Sequence, residues 1–274
     1  MTSCDSLIER LFAARSAHCF PSQVLPLVQQ FASQAMGLLF PHFSSHSTCS
    51  KAALEEELLS LTQLLGRLSR TVSPLDTPTR AADFPERFAQ ELWGLHQHMH
   101  ADAEAIFEGD PAAQSLDEVI LTYPGFYAIS LYRLAHALYA HGMPLVPRML
   151  TEFAKQKTGI DIHPGASIGN RFFIDHGTGI VIGGTAHIGD DVKLYQGVTL
   201  GALTVEKHMA NQKRHPTLEE GVVVYANATI LGGSTVIGKN SIVAGNAFVT
   251  HSTPPNSFVD RKSEIRPKSE LPRP

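Results

Sequence analysis

At 274 residues, with hydrophobic residues at 43% and charged residues at 18%, the chain has the size of one large or two modest globular domains and not the composition of a disordered protein. A formal net charge of -4 without any Lys/Arg stripe argues against a nucleic-acid partner. Cys4, Cys19 and Cys49 form neither a disulfide framework nor a zinc spacing, acidic residues interrupt the N-terminus, and no apolar run nears the roughly 18 residues of a membrane span, so a cytoplasmic protein without a membrane partner is predicted.

Up to about Lys157 the chain reads as helices, least regularly through Ser50. Leu54, Leu58, Leu61, Leu65 and Leu68 recur at spacings of four and three, the stripe of an amphipathic helix. A second helical stretch runs from Asp83 to Gly109. A third runs from Gly125 to about His141 and carries Phe126, Ile129, Arg133, Leu134 and Leu138. PHFSSHSTCS and TVSPLDTPT, rich in helix breakers, read as linkers.

After Gly159 the period becomes six. Ile162, Ile168, Ile174 and Ile180 are six apart; the register then slips by two through Ile182, Ile188, Leu194 and Leu200, and resumes at Leu231, Ile237, Val243 and Val249. Compact residues follow most anchors by four, as at Ala166, Thr178, Ala186, Val192, Val198, Ser241 and Ala247, with Phe172 the exception. Helices repeat at 3.6 and strands at 2, so a strict six points to a parallel β-helix, three units closing one triangular coil. The predicted fold is α+β: a helical region over 1–157, a β-helix over 158–255 and a tail over 256–274. The segment 202–216 breaks the hexad and ends in Lys213, Arg214 and His215, which suggests a loop over a site.

The run TGIDIHPGASIGNRFFIDHGTGIVIGGTAHIGDDVKLYQGVTLGAL, followed by KRHPTLEEGVVVYANATILGG, resembles bacterial and plant serine acetyltransferases over roughly Asp110–Pro255, with DIHP, DHGTG and RHP in the same order. The resemblance implies a left-handed coil, a hand the period alone does not decide. It also implies acetyl transfer from acetyl-CoA to the hydroxyl of L-serine, the first step of cysteine formation, with acetyl-CoA as co-substrate and no permanently bound cofactor.

By that resemblance His176 is the general base, and an imidazole with an ordinary pKa of about 6.5 suits the task. Asp161 matches the carboxylate that orients it, or else is a turn aspartate bonding the next amides. Asp110 and Asp175 match the pair that holds the substrate ammonium; Asp110, preceding Pro111, also has the arrangement of a helix N-cap. Arg214 and His215 match the contacts to the substrate carboxylate, with His215 also beside the reacting centre. Ala202, Ala226 and Ala244 match positions along the CoA groove between neighbouring β-helices. The resemblance further implies a homotrimer or a dimer of trimers, with L-cysteine as a feedback inhibitor.

Two features depart from the family. The chain ends SELPRP where many members end in isoleucine, so the complex with O-acetylserine sulfhydrylase is not expected. VDRKSEIRPKS replaces the small residues that follow the last coil, and Arg261, Lys262, Arg266 and Lys268 could meet the CoA phosphate or form a basic tail. The alternatives are a hexapeptide acyltransferase for another amino acid or an amino sugar, a zinc hydratase using His163, His176, His187, His208 and His215, and a non-enzymatic scaffold.

Overall fold

The computed structural model describes residues 3–17, 23–44, 50–72, 83–204 and 212–260. Among the described residues seven α-helices come first: α1 (Ser3–Ser16), α2 (Val24–Leu39), α3 (Lys51–Val72), α4 (Phe84–Gly109), α5 (Leu116–Thr122), α6 (Pro124–Ala140) and α7 (Val146–Thr158). The three stretches expected from periodicity are α3, α4 and α6. The leucine stripe of α3 is buried only at Leu61, Leu65 and Leu68; Leu54 and Leu58 are exposed. The first linker begins with a 3-10 turn at Pro41–Phe43. Residues 45–49 and 73–82, Cys19, Cys49, His208 and the four basic tail residues lie outside the described residues.

Among the described residues, no helix is long and apolar enough to cross a membrane.

The β-helix has, among the described residues, fourteen short strands in three parallel sheets. The first face stacks β1 (Asp161–Ile162), β4 (Val181–Ile182), β7 (Thr199–Gly201), β10 (Thr229–Leu231) and β13 (Phe248–Val249). The second stacks β2 (Ser167–Ile168), β5 (His187–Ile188), β8 (Thr217–Leu218) and β11 (Val236–Ile237). The third stacks β3 (Phe173–Asp175), β6 (Lys193–Tyr195), β9 (Val223–Val224), β12 (Ile242–Val243) and β14 (Phe258–Val259). Aliphatic anchors from all three faces fill the prism, and each strand bonds the coil above at ordinary strand spacing.

The register differs from the sequence reading at three points. The repeat resumes at Leu218, Val224 and Ile230, not at Leu231: Ile230 is fully buried and pairs with Leu200, whereas Leu231 is half-buried. One extra residue at Gly232–Gly233 displaces any count made backward from Ile237. Ile180 is no strand anchor but fills the corner beneath Ile182, as Ile160 does beneath Ile162, where later coils carry the smaller Val198, Ala228 and Ala247. The last strand, β14, lies beyond the 255 boundary and pairs Phe258 with Ile242.

The two parts share one apolar core. α6 is buried along most of its length, and its Tyr132 hydroxyl donates to the Ala166 carbonyl at 2.6 Å. Arg133 donates through Nη2 to Asp102 of α4 at 2.8 Å and to the Gly169 carbonyl at 2.7 Å, while Asp102 accepts from the Phe172 amide at 2.9 Å. This buried pair fastens α4 and α6 to the corner that leads into β3. Gly125 makes the approach possible, for a Cβ there would lie 2.3 Å from the Ile174 carbonyl oxygen.

Candidate active site

The coil is irregular where the chain passes from the third face to the first. From Ile174 on the third face to Ile182 on the first, the chain takes eight residues between inward anchors where six is the rule. The surplus forms the corner His176–Gly177–Thr178–Gly179, with φ of 56° at His176, 81° at Gly177 and 83° at Gly179. Glycine is required at 177 twice over, since a Cβ would also meet Ile160 Cδ1 at 2.4 Å. The bulge lifts the His176 side chain out of the prism, where it is 70% exposed, and its Nδ1 lies 3.5 Å from Asp175 Oδ1.

α4 delivers Asp110 to the same corner. Asp110 is the C-cap of α4, and its Oδ1 accepts from the Ala112 amide at 2.8 Å in a turn. The helix N-cap expected of it is therefore corrected: Pro111 opens that turn, and the next helix, α5, is capped by Ser115. Oδ2 accepts a 2.6 Å bond from the Tyr123 hydroxyl, placed by its position just before α6. The Tyr123 bond, then the Ala112 amide and the nearby His176 ring, hold the Asp110 carboxyl below its ordinary range. The same bond pushes Tyr123 up to about 12, so it stays a donor. The charges of Asp110 and Asp175 both reach the hydroxyls of Tyr123 and Tyr195.

A second cluster lies across the first face, at the edge where the chain passes to the second. Asp161 opens β1, and its carboxylate accepts from Lys155 of α7 at 2.6 Å and faces Arg148 at 3.6 Å, an ion pair in place of the turn-capping bond weighed for it. His215 is nearly buried, lying flat over Gly183, where a Cβ would meet its Cδ2 at 2.0 Å. The Thr185 amide donates to His215 Nδ1 at 3.1 Å. Burial, then the charge of Arg214, bring its pKa down to about 4. His163 lies over the next residue, Gly184, and its Nδ1 accepts from the Gly165 amide at 3.0 Å. Burial and the charges of Arg148 and Arg214 lower its pKa as well. Both rings are therefore neutral near pH 7, with Nδ1 occupied as acceptor and the proton on Nε2.

The sequence-derived residues thus divide. One edge holds Asp110, Asp175, His176, Ala226 and Ala244; the other holds Asp161, Ala202, Arg214 and His215. Within one chain Asp161 is bonded to Lys155 and stands on a different face from β3, which carries His176 at its end. Sequence reasoning missed Tyr123 and Thr185, and weighed His163 only as a zinc ligand. His163 and Thr185 both sit inside the runs that carry the family resemblance, but Thr185 looks like any small corner residue, and Tyr123 lies just before the helical stretch that begins at Gly125. Among the described residues no three His, Cys, Asp or Glu side chains group to hold a metal ion.

No family model matches the chain. It is 46% identical over 199 residues to a plasmid-encoded serine acetyltransferase of Synechococcus elongatus, a match covering 71% of this chain and 62% of that relative, so the chain spans under two thirds of its length. Its structure is similar to that of serine acetyltransferase 1 of Entamoeba histolytica in complex with L-cysteine, with a TM-score of 0.76 and 32% identity over 84% of this chain and 86% of that one. The serine acetyltransferase of Neisseria gonorrhoeae in complex with serine matches with a TM-score of 0.57 and 28% identity, covering 88% of this chain and 96% of that one. On these identities and coverages, the chain belongs to the serine acetyltransferase family.

Proposed function

We propose that the chain is a serine O-acetyltransferase whose site is completed between two copies, the His176 edge of one facing the Arg214 edge of the next in a homotrimer. The division of groups carries this reading. One edge offers two carboxylates and an exposed imidazole, the other an arginine and neutral imidazole donors. Only together do they match an amino acid, which has an ammonium, a carboxylate and a hydroxyl. The Entamoeba and Neisseria relatives, with L-cysteine and serine in their complexes, support that substrate class.

In this reading Asp110 and Asp175 hold the ammonium, and Arg214 of the neighbouring copy takes the carboxylate with its planar fork. The serine hydroxyl then lies at His176. Its O–H bond breaks as oxygen attacks the acetyl carbonyl, and the imidazole takes the proton. The carbon–sulfur bond breaks next, and His176 returns the proton to the CoA thiolate. Asp161 of the neighbouring copy supports the transient imidazolium, sharing its carboxylate with Lys155. His215 serves as a neutral Nε2–H donor to the anionic oxygen. Ala226 and Ala244 on one copy and Ala202 on the other flank the groove in which acetyl-CoA lies.

The test is acetyl transfer from acetyl-CoA to serine, homoserine and an amino sugar, followed by thiol release. Serine is expected to give the highest kcat/KM, with millimolar cysteine raising the apparent KM for serine. Equal or better turnover of either rival acceptor overturns the assignment.

A further inference from the structure

The end of the 202–216 loop is held by a single hydroxyl. Thr185 Oγ1 accepts from the Arg214 amide at 2.9 Å and the His215 amide at 3.1 Å, and lies 2.8 Å from His215 Nδ1. The Thr185 backbone amide, which can only donate, points at the same Nδ1 at 3.1 Å. Nδ1 is therefore an acceptor, and the hydroxyl, with both acceptor sites taken by amides, donates its one proton there. The reverse tautomer would set Nδ1–H against a backbone N–H and ask Oγ1 to accept three donors. The Thr185 carbonyl completes the hold by accepting from Lys213 Nζ at 2.7 Å. Thr185 thus meets three successive residues, two of them assigned to substrate.

We propose that Thr185 is a positioning residue for acetyl transfer, fixing the Arg214–His215 backbone and locking His215 as the Nε2–H tautomer that donates to an anionic oxygen of the substrate. The inference rests on the functional reading above for its substrate and on geometry for the tautomer. A hydroxyl is needed, and a methyl is not: valine keeps the shape of threonine but takes the Oγ1 acceptor from two part-buried amides and leaves Nδ1 with one donor fewer. Serine keeps the hydroxyl.

Thr185→Val and Thr185→Ser are compared with wild type in the full-length assembled enzyme. Thr185→Val is expected to lower kcat/KM for serine about tenfold or more, with KM for acetyl-CoA unchanged, as for other groups that orient a functional histidine. Thr185→Ser recovers most of the loss. A rise confined to KM for serine places the anionic oxygen on the substrate carboxylate, and a fall confined to kcat places it on the thioester carbonyl; either supports the proposal. The tautomer is read without substrate from the 15N spectrum of histidine-labelled protein, with His215 assigned by its loss in His215→Gln. Wild type is expected to show Nε2 protonated and Nδ1 bare. A protonated Nδ1 in wild type, wild-type turnover in Thr185→Val, or a serine variant as impaired as the valine one overturns the proposal. If the wild-type enzyme does not acetylate serine, the functional reading fails while the spectrum still decides the tautomer.

Discussion

His176 and His215 are the same residue type given opposite properties by their surroundings. His176 stands on a bulged corner with 70% of its side chain open to solvent. His215 lies under Arg214 with Nδ1 occupied, so it donates and does not act as a base. The assignment predicts that His176→Ala lowers kcat by a factor on the order of 10²–10⁴, the usual worth of a general base. An exposed side chain contributes little packing, so thermal unfolding and oligomeric state should stay as in wild type. Turnover within a few-fold of wild type removes the role given to His176. Both histidines were legible in the sequence through their motifs. Thr185 was not, because its importance lies in which amides it meets, and those belong to residues roughly thirty positions away.

At the scale of elements, the site depends on how α4 meets the coil. Asp110 ends α4 and Asp175 ends β3, and no local preference sets the distance between two such ends. The buried Asp102–Arg133 pair does so by joining α4, α6 and the corner from Gly169 to Phe172. Close packing follows from two glycines: a Cβ at Gly109 would meet Phe173 at 2.8 Å, and one at Gly125 would meet the Ile174 carbonyl. Asp102→Ala leaves a buried guanidinium without its partner, and a loss of about 3–5 kcal/mol is expected, read as a lowered midpoint in denaturant. A midpoint unchanged within error shows that the pair does not join the two parts. Sequence periodicity found α4 and α6 but assigned Arg133 only to a helical face. The partner Asp102, 31 residues away, carried no signal.

For the whole molecule, the residues proposed for the site collect where the hexad fails. The two-residue surplus after Ile174 carries His176, and the long interruption after Leu200 ends in Arg214 and His215. A regular coil offers only flat faces and tight corners, so a side chain that must leave the prism needs extra backbone. Because the two irregularities lie on different edges, the proposed enzyme works only as an assembly. Mixing subunits carrying His176→Ala with subunits carrying Arg214→Ala, each inactive alone, should restore about a quarter of wild-type activity once they have been denatured and reassembled together at equal amounts, since random pairing leaves that share of sites intact. No recovery in confirmed mixed trimers sinks the shared site.

The period of six, the apolar anchors and the order of the three motifs are local properties, and they made legible in the sequence alone a coil, its class and, by resemblance, the residues proposed for the site. The register after Leu200, the role of Ile180 as a corner filler and the partners of Asp110, Asp161 and His215 were decided only by the tertiary structure. Inserted residues shift a count without leaving a mark in composition, and a hydrogen bond between distant segments depends on where the whole chain has closed.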